Sequence, residues 1–565
     1  MPLFSTLQIA NNALIAAQLG LQVTGNNIAN SNTPGYIRQE MRLEPAPTQR
    51  YGGLLLGLGV QVSAIVQQSD ALLDERLRNA TGDLANSEAQ EKVYTQLETL
   101  IGELGETDLS TSLTKFFGSV NDILNQPESV SVRNQAVLQA STLAQDVQRL
   151  DSRVRQIRSD TNDRVLAVKN DVNALLEQVA KLNVQITTAE GGGTLDSDAV
   201  GLRDQRATAL GKLSKIINIT TAEQPTGDVN VFVGGDYLVF QGTYREVAVS
   251  VSTDRGLAVA SLRVAETDAP IDTSGGELGG LVAGRDNVLG GFLDRLDDMA
   301  RALILEFNKI HSSGQGLTGY ASLTSEAKAT SVDAALDQAG LGFTPNNGSF
   351  QVLVRDKQTG ITTTHNIRID LNGLDDDTSL TELAAQLDAV NGIASQVTVD
   401  RGLTISADSG LVEFSFANDT SGTLAALGLN TFFKGTGATD MDVNAIFRTD
   451  PGKLAISTGG IGEDTQNGER LADLFNTPLS GQGGDSLAVM YDKLVAEPTQ
   501  GAALTRAAAE GFRSFQQTLE SQQLAISGVS IDEEAIKMIA YQRMFQASAR
   551  FVATIDEMLQ ILVNL

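Results

Sequence analysis

The chain has 565 residues, too many for one core and suited to about four domains of ~150 residues each. Against 41 Lys and Arg stand 69 Asp and Glu, a net charge of -28 with a pI near 4.4, so DNA or RNA meets repulsion and no nucleic-acid partner is expected. Cysteine is absent and His311 and His365 are the only histidines, which excludes a disulfide framework, a cysteine nucleophile and any multi-histidine metal site.

The first charged residue is Arg38. Residues 1–37 have neither the basic start and cleavage site of a signal peptide nor an apolar run long enough to cross a bilayer, the longest being Ala13 to Ala17, so no membrane partner is expected. Leu3, Leu7, Ala10, Leu14, Ala17, Leu21, Thr24 and Ile28 step by fours and threes and predict a helix with a heptad seam, Thr24 being its one polar member. A stripe this narrow needs a helical partner. Two arrangements satisfy it: an antiparallel hairpin with another helix of the same chain, or packing against further copies, which suits an outer face of neutral Asn, Gln and Ser. Thr33-Pro34-Gly35-Tyr36 then reads as a type II turn, with Pro34 fixing the first corner and Gly35 accepting positive φ at the second. Gly57-Leu58-Gly59 is too short to count as a nucleotide motif.

Helical patterns follow at Tyr94 to Leu104 and Leu113 to Leu124. From Leu143 through Val147, Leu150, Val154, Ile157, Thr161, Val165, Val168, Val172, Leu175, Val179 and Leu182 to Ile186, three-or-four spacing predicts one helix of roughly 66 Å, closed by Gly191-Gly192-Gly193. A shorter helix is expected from Asp204 to Ile217. The β-branched and aromatic runs at 229–233, 237–240 and 246–251 predict a small sheet. Helical spacing returns from Leu289 to Ile310, with His311 placed as a helix-end residue that complements the dipole.

From about Phe350 to Asn444 alternation resumes, as in Gln351 to Arg355 and Val397 to Val399, with one helix near Leu380 to Val390. His365 falls on an exposed strand. The acidic loop from Asp370 to Asp377 lacks the glycine and glutamate placement of a calcium-binding EF-hand and reads as a turn, with Asp or Thr capping the helix at Leu380. Gly435-Thr436-Gly437 has no third glycine and reads as a loop. No nucleophile, base and orienting acid occur at recognisable spacing, so no catalytic residue, cofactor or metal is expected. Near the C-terminus Ser530 is placed to N-cap a helix whose first turn holds Asp532, Glu533 and Glu534. Its seam is Ile531, Ala535, Met538, Tyr541, Phe545, Val552, Ile555, Leu559 and Leu562, with Ser548 the polar member.

Asn26, Asn27, Ile28, Ala29 and Asn30, followed by Thr33, Pro34, Gly35 and Tyr36, resemble the signature of the flagellar axial proteins: the rod, hook and hook-associated subunits. The block from Ser527 to Arg550 resembles the C-terminal block of that family, with Ser548 where relatives often carry Asn. Leu202 to Arg206, Gly275 to Leu281 and Ala283 to Leu289 are similar to the helical region of its hook-associated members at the hook–filament junction. The resemblance implies a structural, non-enzymatic protein, secreted through flagellar export, that joins hook to filament as a homo-oligomer ring built by the coiled terminal helices. It implies as partners the hook subunit, a second junction protein on the filament side, and an export chaperone on the C-terminal helix. A hook or distal-rod subunit is the alternative within the family. An exported cell-wall enzyme with axial-type ends is the alternative outside it.

The expected fold is a multidomain α+β chain with paired terminal heptad helices, a long-helix bundle domain with a β insertion, and a separate mainly-β outer module. The expected division is 1–60 for the N-terminal helix and turn, pairing with 516–565; 61–224 plus 280–320 for the helical domain; and 225–279 for the β insertion. The outer α+β module takes 321–445, and 446–515 returns the chain to the helical domain.

Overall fold

The structure, a computed structural model, describes residues 2–51, 54–102, 108–193, 196–374 and 376–563; Leu104, Asp375 and the Leu562 side chain lie outside the described residues. Helix α1 (Pro2–Ala29) ends at the expected turn, where Gly35 has φ +79° and the Tyr36 N–H donates to the Thr33 carbonyl at 3.2 Å. A feature with no sequence expectation follows. Strands β1 (Gln39–Pro45), β2 (Thr48–Tyr51), β3 (Leu54–Gly57) and β4 (Val60–Gln67) form antiparallel ribbons, β1 with β4 and β2 with β3.

Helix α2 (Ala71–Gly102) begins well before the pattern at Tyr94, and α3 (Leu109–Asn125) is N-capped by Asp108. Helix α4 (Val130–Ala189) has 60 residues, about 90 Å, and starts 13 residues before its predicted beginning. The early turns continue the buried stripe with Ala136, Val137 and Ala140, whose small side chains give a weak periodic signal. Farther along, Leu176 is buried in place of the half-buried Leu175. Gly191, Gly192 and Gly193 all take positive φ and end the helix.

Helix α5 (Val200–Ile216) precedes a four-stranded antiparallel sheet, β5 (Thr220–Glu223), β6 (Val229–Val233), β7 (Asp236–Phe240) and β8 (Thr243–Tyr244), and the hairpin of β9 (Val247–Asp254) with β10 (Leu257–Val264). Next come α6 (Gly276–Ala283), a π-helical turn (Gly284–Leu289) and α7 (Gly290–Ser312). Strands β11 (Ser322–Thr324), β12 (Gly348–Asp356) and β13 (Thr362–Ile369), helix α8 (Leu380–Asp388), then β14 (Ile393–Val397), β15 (Leu403–Ala407) and β16 (Val412–Ala417) build two antiparallel sheets, ordered β13-β12-β16 and β11-β15-β14. Helices α9 (Thr423–Leu427), α10 (Ala445–Thr449), α11 (Gln466–Asp473), α12 (Leu487–Ser527) and α13 (Ile531–Val563) complete the chain.

Two compact units emerge. The first comprises Met1–Val93, Ser159–Arg285 and Ala503–Leu565. Its main core packs Val165, Val172 and Val179 of α4 against Leu210 and Leu213 of α5, Val231 of β6 and Leu262 of β10. Arg285 is buried here, donating to Asn162 Oδ1 at 2.9 Å and to the Ala260 carbonyl at 2.6 Å, so hydrogen bonds offset the burial of its charge. The second unit comprises Tyr94–Arg158 and Asp286–Ala502. Phe350, Phe414 and Phe416 pack there with Leu380, Leu383 and Leu387 of α8.

The second unit corrects several expectations. His311 is not a charged helix-end group: it is fully buried, Nδ1 lies 2.8 Å from the Asn430 carbonyl, and Nε2 accepts the Ala455 N–H at 3.0 Å. Burial pushes its pKa down to about 4, so the ring is neutral and joins three chain segments by hydrogen bonds. The cap of α8 is Ser379, which forms a capping box with Glu382, because the chain enters the helix one residue after Thr378. Strand β14 stops at Val397 and turns, leaving Val399 fully exposed. His365 sits on β13 opposite Val352 and is half-buried.

Candidate assembly site at the paired termini

Helices α1 and α13 pack antiparallel: Asn27 meets Glu534 at one point and Gly20 meets Tyr541 at another. Small side chains permit the close approach. Ala10, Ala16 and Ala17 are buried on α1, and a Cβ on Gly20 would stand 2.7 Å from the Tyr541 ring. On the N-terminal seam Ala10, Ala17 and Thr24 are buried, whereas Leu3, Leu7, Leu14, Leu21 and Ile28 are half-buried. On the C-terminal seam Ile555 and Ser548 are buried, and Ala535, Met538, Tyr541, Val552 and Leu559 are half-buried. Ile531 and Phe545 are exposed, and the Leu562 side chain lies outside the described residues.

The asparagine motif closes this pair at one end. Asn27 is 1% exposed and uses every hydrogen-bonding position of its side chain. Its Oδ1 accepts from the Tyr36 hydroxyl at 2.7 Å and the Gln39 N–H at 3.0 Å, while its Nδ2 donates to the Gln39 carbonyl and to Glu534 Oε2, each at 3.0 Å. Asn26 donates to Gln39 Oε1 at 3.3 Å. Asn30 donates back to the Asn26 carbonyl and to Asn26 Oδ1, satisfying the end of α1, and accepts from the Thr33 hydroxyl at 3.2 Å. Ala29, Thr33, Pro34 and Gly35 are exposed; Pro34 and Gly35 shape the turn that carries Tyr36 back to Asn27.

Charge completes the closure. Arg38 donates from Nε and Nη2 to Glu534 Oε1, at 3.0 and 2.7 Å, and from Nη2 to Glu533 at 2.8 Å. Burial by itself raises the Glu534 pKa, but the bonds from Asn27, Arg38 and Lys537 outweigh it and hold the carboxyl below the usual glutamate range. The Arg38 N–H caps the end of α12 at the Ser527 carbonyl, 2.9 Å away. On the other side of the turn, Asp204 of α5 accepts the Ile37 N–H at 3.3 Å and Gln67 Nε2 at 2.6 Å. Desolvation lifts Asp204 to about 6 and, with Asp204 and Glu534 nearby, lifts Tyr36 to about 12. Neighbouring Arg203 grips Glu190 with two bonds, and Arg206 donates to Asn183 Oδ1 and the Gly227 carbonyl. The Leu202–Arg206 string thus fastens the motif turn to the first unit's core.

Gln39 and Gln67 belong to this cluster without a sequence expectation of their own, and Glu534, expected only as an acidic residue in the first turn of its helix, joins them. The available signal was Arg38, the first charge of the chain, which finds its counter-charge in the acidic start of α13. The cluster fastens the start of α13 to the end of α1 through hydrogen bonds and ion pairs. Among the described residues no three His, Cys, Asp or Glu side chains are grouped to hold a metal, and no helix is long and apolar enough to cross a membrane.

The chain is similar to known proteins. Residues 94–324 match the flagellar hook-associated protein FlgK helical domain, residues 7–36 the flagella basal body rod protein family, and residues 520–565 the flagellar basal body rod FlgEFG protein C-terminal family. Flagellar hook-associated protein 1 of Escherichia coli (strain K12) is 25% identical over 99% of this chain and 100% of its own length. The Bacillus subtilis (strain 168) protein of the same name is 24% identical over 99% and 98%. The flagellar hook junction protein FlgK from Burkholderia pseudomallei, a solved structure, is 16% identical, covers 80% of this chain and 100% of its own, and has a TM-score of 0.49. Rod-type sequences at both ends around a FlgK helical domain, and full-length likeness to proteins of one name, show that the chain belongs to the flagellar hook-associated protein 1 family.

Proposed function

We propose that this protein is an exported structural component of the bacterial flagellum that joins hook to filament, assembling as a homo-oligomer ring through α1 and α13. The observation that carries the proposal is the state of the paired helices. Their mutual contact leaves most of each seam half-buried, and the outer face of α13 still exposes Ile536, Ile539, Phe551, Met558 and Ile561, the first by 69%. Large apolar side chains left exposed along one helix face call for further helical neighbours. The charge-free start of the chain fits such burial, since no charge there has to be desolvated when copies close on it.

In this role the hook subunit contacts one end of the ring and a second junction protein with the filament the other. The apolar face of α13, open before assembly, is the surface an export chaperone would cover. A strain lacking the protein is expected to build complete hooks and release flagellin as monomers. Restoring the chain without residues 531–565 should leave that defect uncorrected. Incomplete hooks in the null strain would point to a hook or rod subunit, and a truncated chain that restores filaments would refute assembly through α13.

A further inference from the structure

The acidic loop after β13 carries chemistry that assembly does not use. Four Asn-Gly pairs occur in the chain, at Asn347, Asn372, Asn391 and Asn467. In such a pair the glycine nitrogen approaches the asparagine side-chain carbonyl carbon without hindrance from a Cβ. At Asn372, which is exposed, the polar groups that this approach requires are already placed. The Gly373 N–H donates to Asp377 Oδ1 at 3.0 Å, and the Leu374 N–H donates to Asn372 Oδ1 at 2.6 Å. The carboxylate is a base on the nucleophile, and the Leu374 amide is a donor where negative charge develops.

The other pairs are arranged differently. Asn467 is fully buried, with Nδ2 bonded to the Ile310 and Ala455 carbonyls and the Gly468 N–H donating to Ile456. Gly348 is paired with Ile369 in the β12–β13 ladder. Asn391 is exposed, but among the described contacts no carboxylate accepts the Gly392 N–H.

We propose that Asn372–Gly373 is a self-modification site, which deamidates through a succinimide faster than the other Asn-Gly pairs of the folded chain. The Gly373 nitrogen bonds to Asn372 Cγ as its proton passes to Asp377, and the charge on Oδ1 rests on the Leu374 N–H. The Cγ–Nδ2 bond then breaks, and Nδ2 takes the proton back from Asp377 and leaves as ammonia. Water opens the ring at either carbonyl and gives aspartate or isoaspartate. One water is consumed, one ammonia is released, and nothing is oxidised. The product adds a carboxylate to a loop that already holds Asp370, Asp376 and Asp377.

The test is peptide mapping of the purified full-length protein during incubation at neutral pH, reading the gain of about 1 Da at positions 372 and 391. Parallel samples are kept folded or in urea. The expected result is a 372-to-391 rate ratio about tenfold higher in the folded protein than in urea, and a loss of about that factor in Asp377→Asn with the Asn391 rate unchanged. The unchanged Asn391 rate also reports that the variant is folded. An equal ratio folded and unfolded, or an Asn372 rate indifferent to Asp377→Asn, would overturn the proposal, and the first comparison needs no variant.

Discussion

Acidification should loosen the second unit through one residue, His311. In the folded chain burial holds its imidazole at about 4, with Nε2 committed as acceptor to the Ala455 N–H. Unfolded, it titrates at its ordinary 6.5. The folded pKa is the lower one, so below pH 6.5 the unfolded chain binds a proton that the folded chain refuses, and stability falls as pH drops toward 4. With 1.36 kcal/mol per pKa unit, the loss between pH 7 and pH 4 comes to about 3 kcal/mol. Full burial means that solvent screening does not reduce this figure. The assay is twofold. Proton NMR follows His311, one of only two histidines, and urea unfolding at stepped pH measures stability. In His311→Leu the acid-dependent part should vanish, while the unpaired Ala455 N–H and Asn430 carbonyl lower stability at pH 7 by about 2–3 kcal/mol. Titration of His311 near 6.5 in the folded protein, or an unchanged pH slope in the leucine variant, would refute the reasoning.

Asn27→Ala removes four hydrogen bonds made by one buried side chain and should weaken the α1–α13 closure by about 3 kcal/mol, seen as faster trypsin cleavage after Arg543 and Arg550. Gly20→Val forces a side chain into the Tyr541 ring and should cost about 1–3 kcal/mol in the same assay, with partial recovery when Tyr541→Ser is added. Asp204 has the opposite sign to a paired carboxylate: its folded pKa of about 6 lies above the ordinary 3.8, so its contribution is present at low pH and is lost as pH rises through 6. Asp204→Asn should therefore stabilise the motif turn at neutral pH by about 1 kcal/mol, allowing for solvent screening of a half-buried group, and flatten the pH dependence between about 4 and 6 in urea unfolding.

The legible parts of the chain were those where one physical signal dominates. Large aliphatics at three-or-four spacing gave α4 and α7, a Gly triplet gave the end of α4, and β-branched runs gave β6, β7 and β9. The motif residues could be quoted, but their chemistry could not, because Asn27 works only when Gln39 and Glu534 are brought to it by the ribbon and by α13. Signals of comparable strength cancelled elsewhere. Helix α12 contains Pro498, and its many alanines favour a helix but leave a weak apolar period, so the pattern did not announce 41 helical residues. The ribbon from Gln39 to Gln67 alternates poorly, since most of β1 is exposed and a bulge shifts its register at Arg42 and Leu43. His311 failed for a different reason. Its position at the end of α7 was right, but its partners at Asn430 and Ala455 are more than a hundred residues away.

The clamp between Asn27 and Glu534 joins residues 507 positions apart. Closing a loop of that length from a flexible chain costs about 5–6 kcal/mol in entropy, more than the clamp's own bonds return, so it forms only after intervening structure has shortened the path. Asp204 and the β1–β4 ribbon supply part of that shortening by fixing Ile37 and Gln67 to α5. A chain that emerges N-terminus first therefore holds α1 on the ribbon, without its helical partner, until α13 is free. Any product broken off before residue 534 never acquires the clamp.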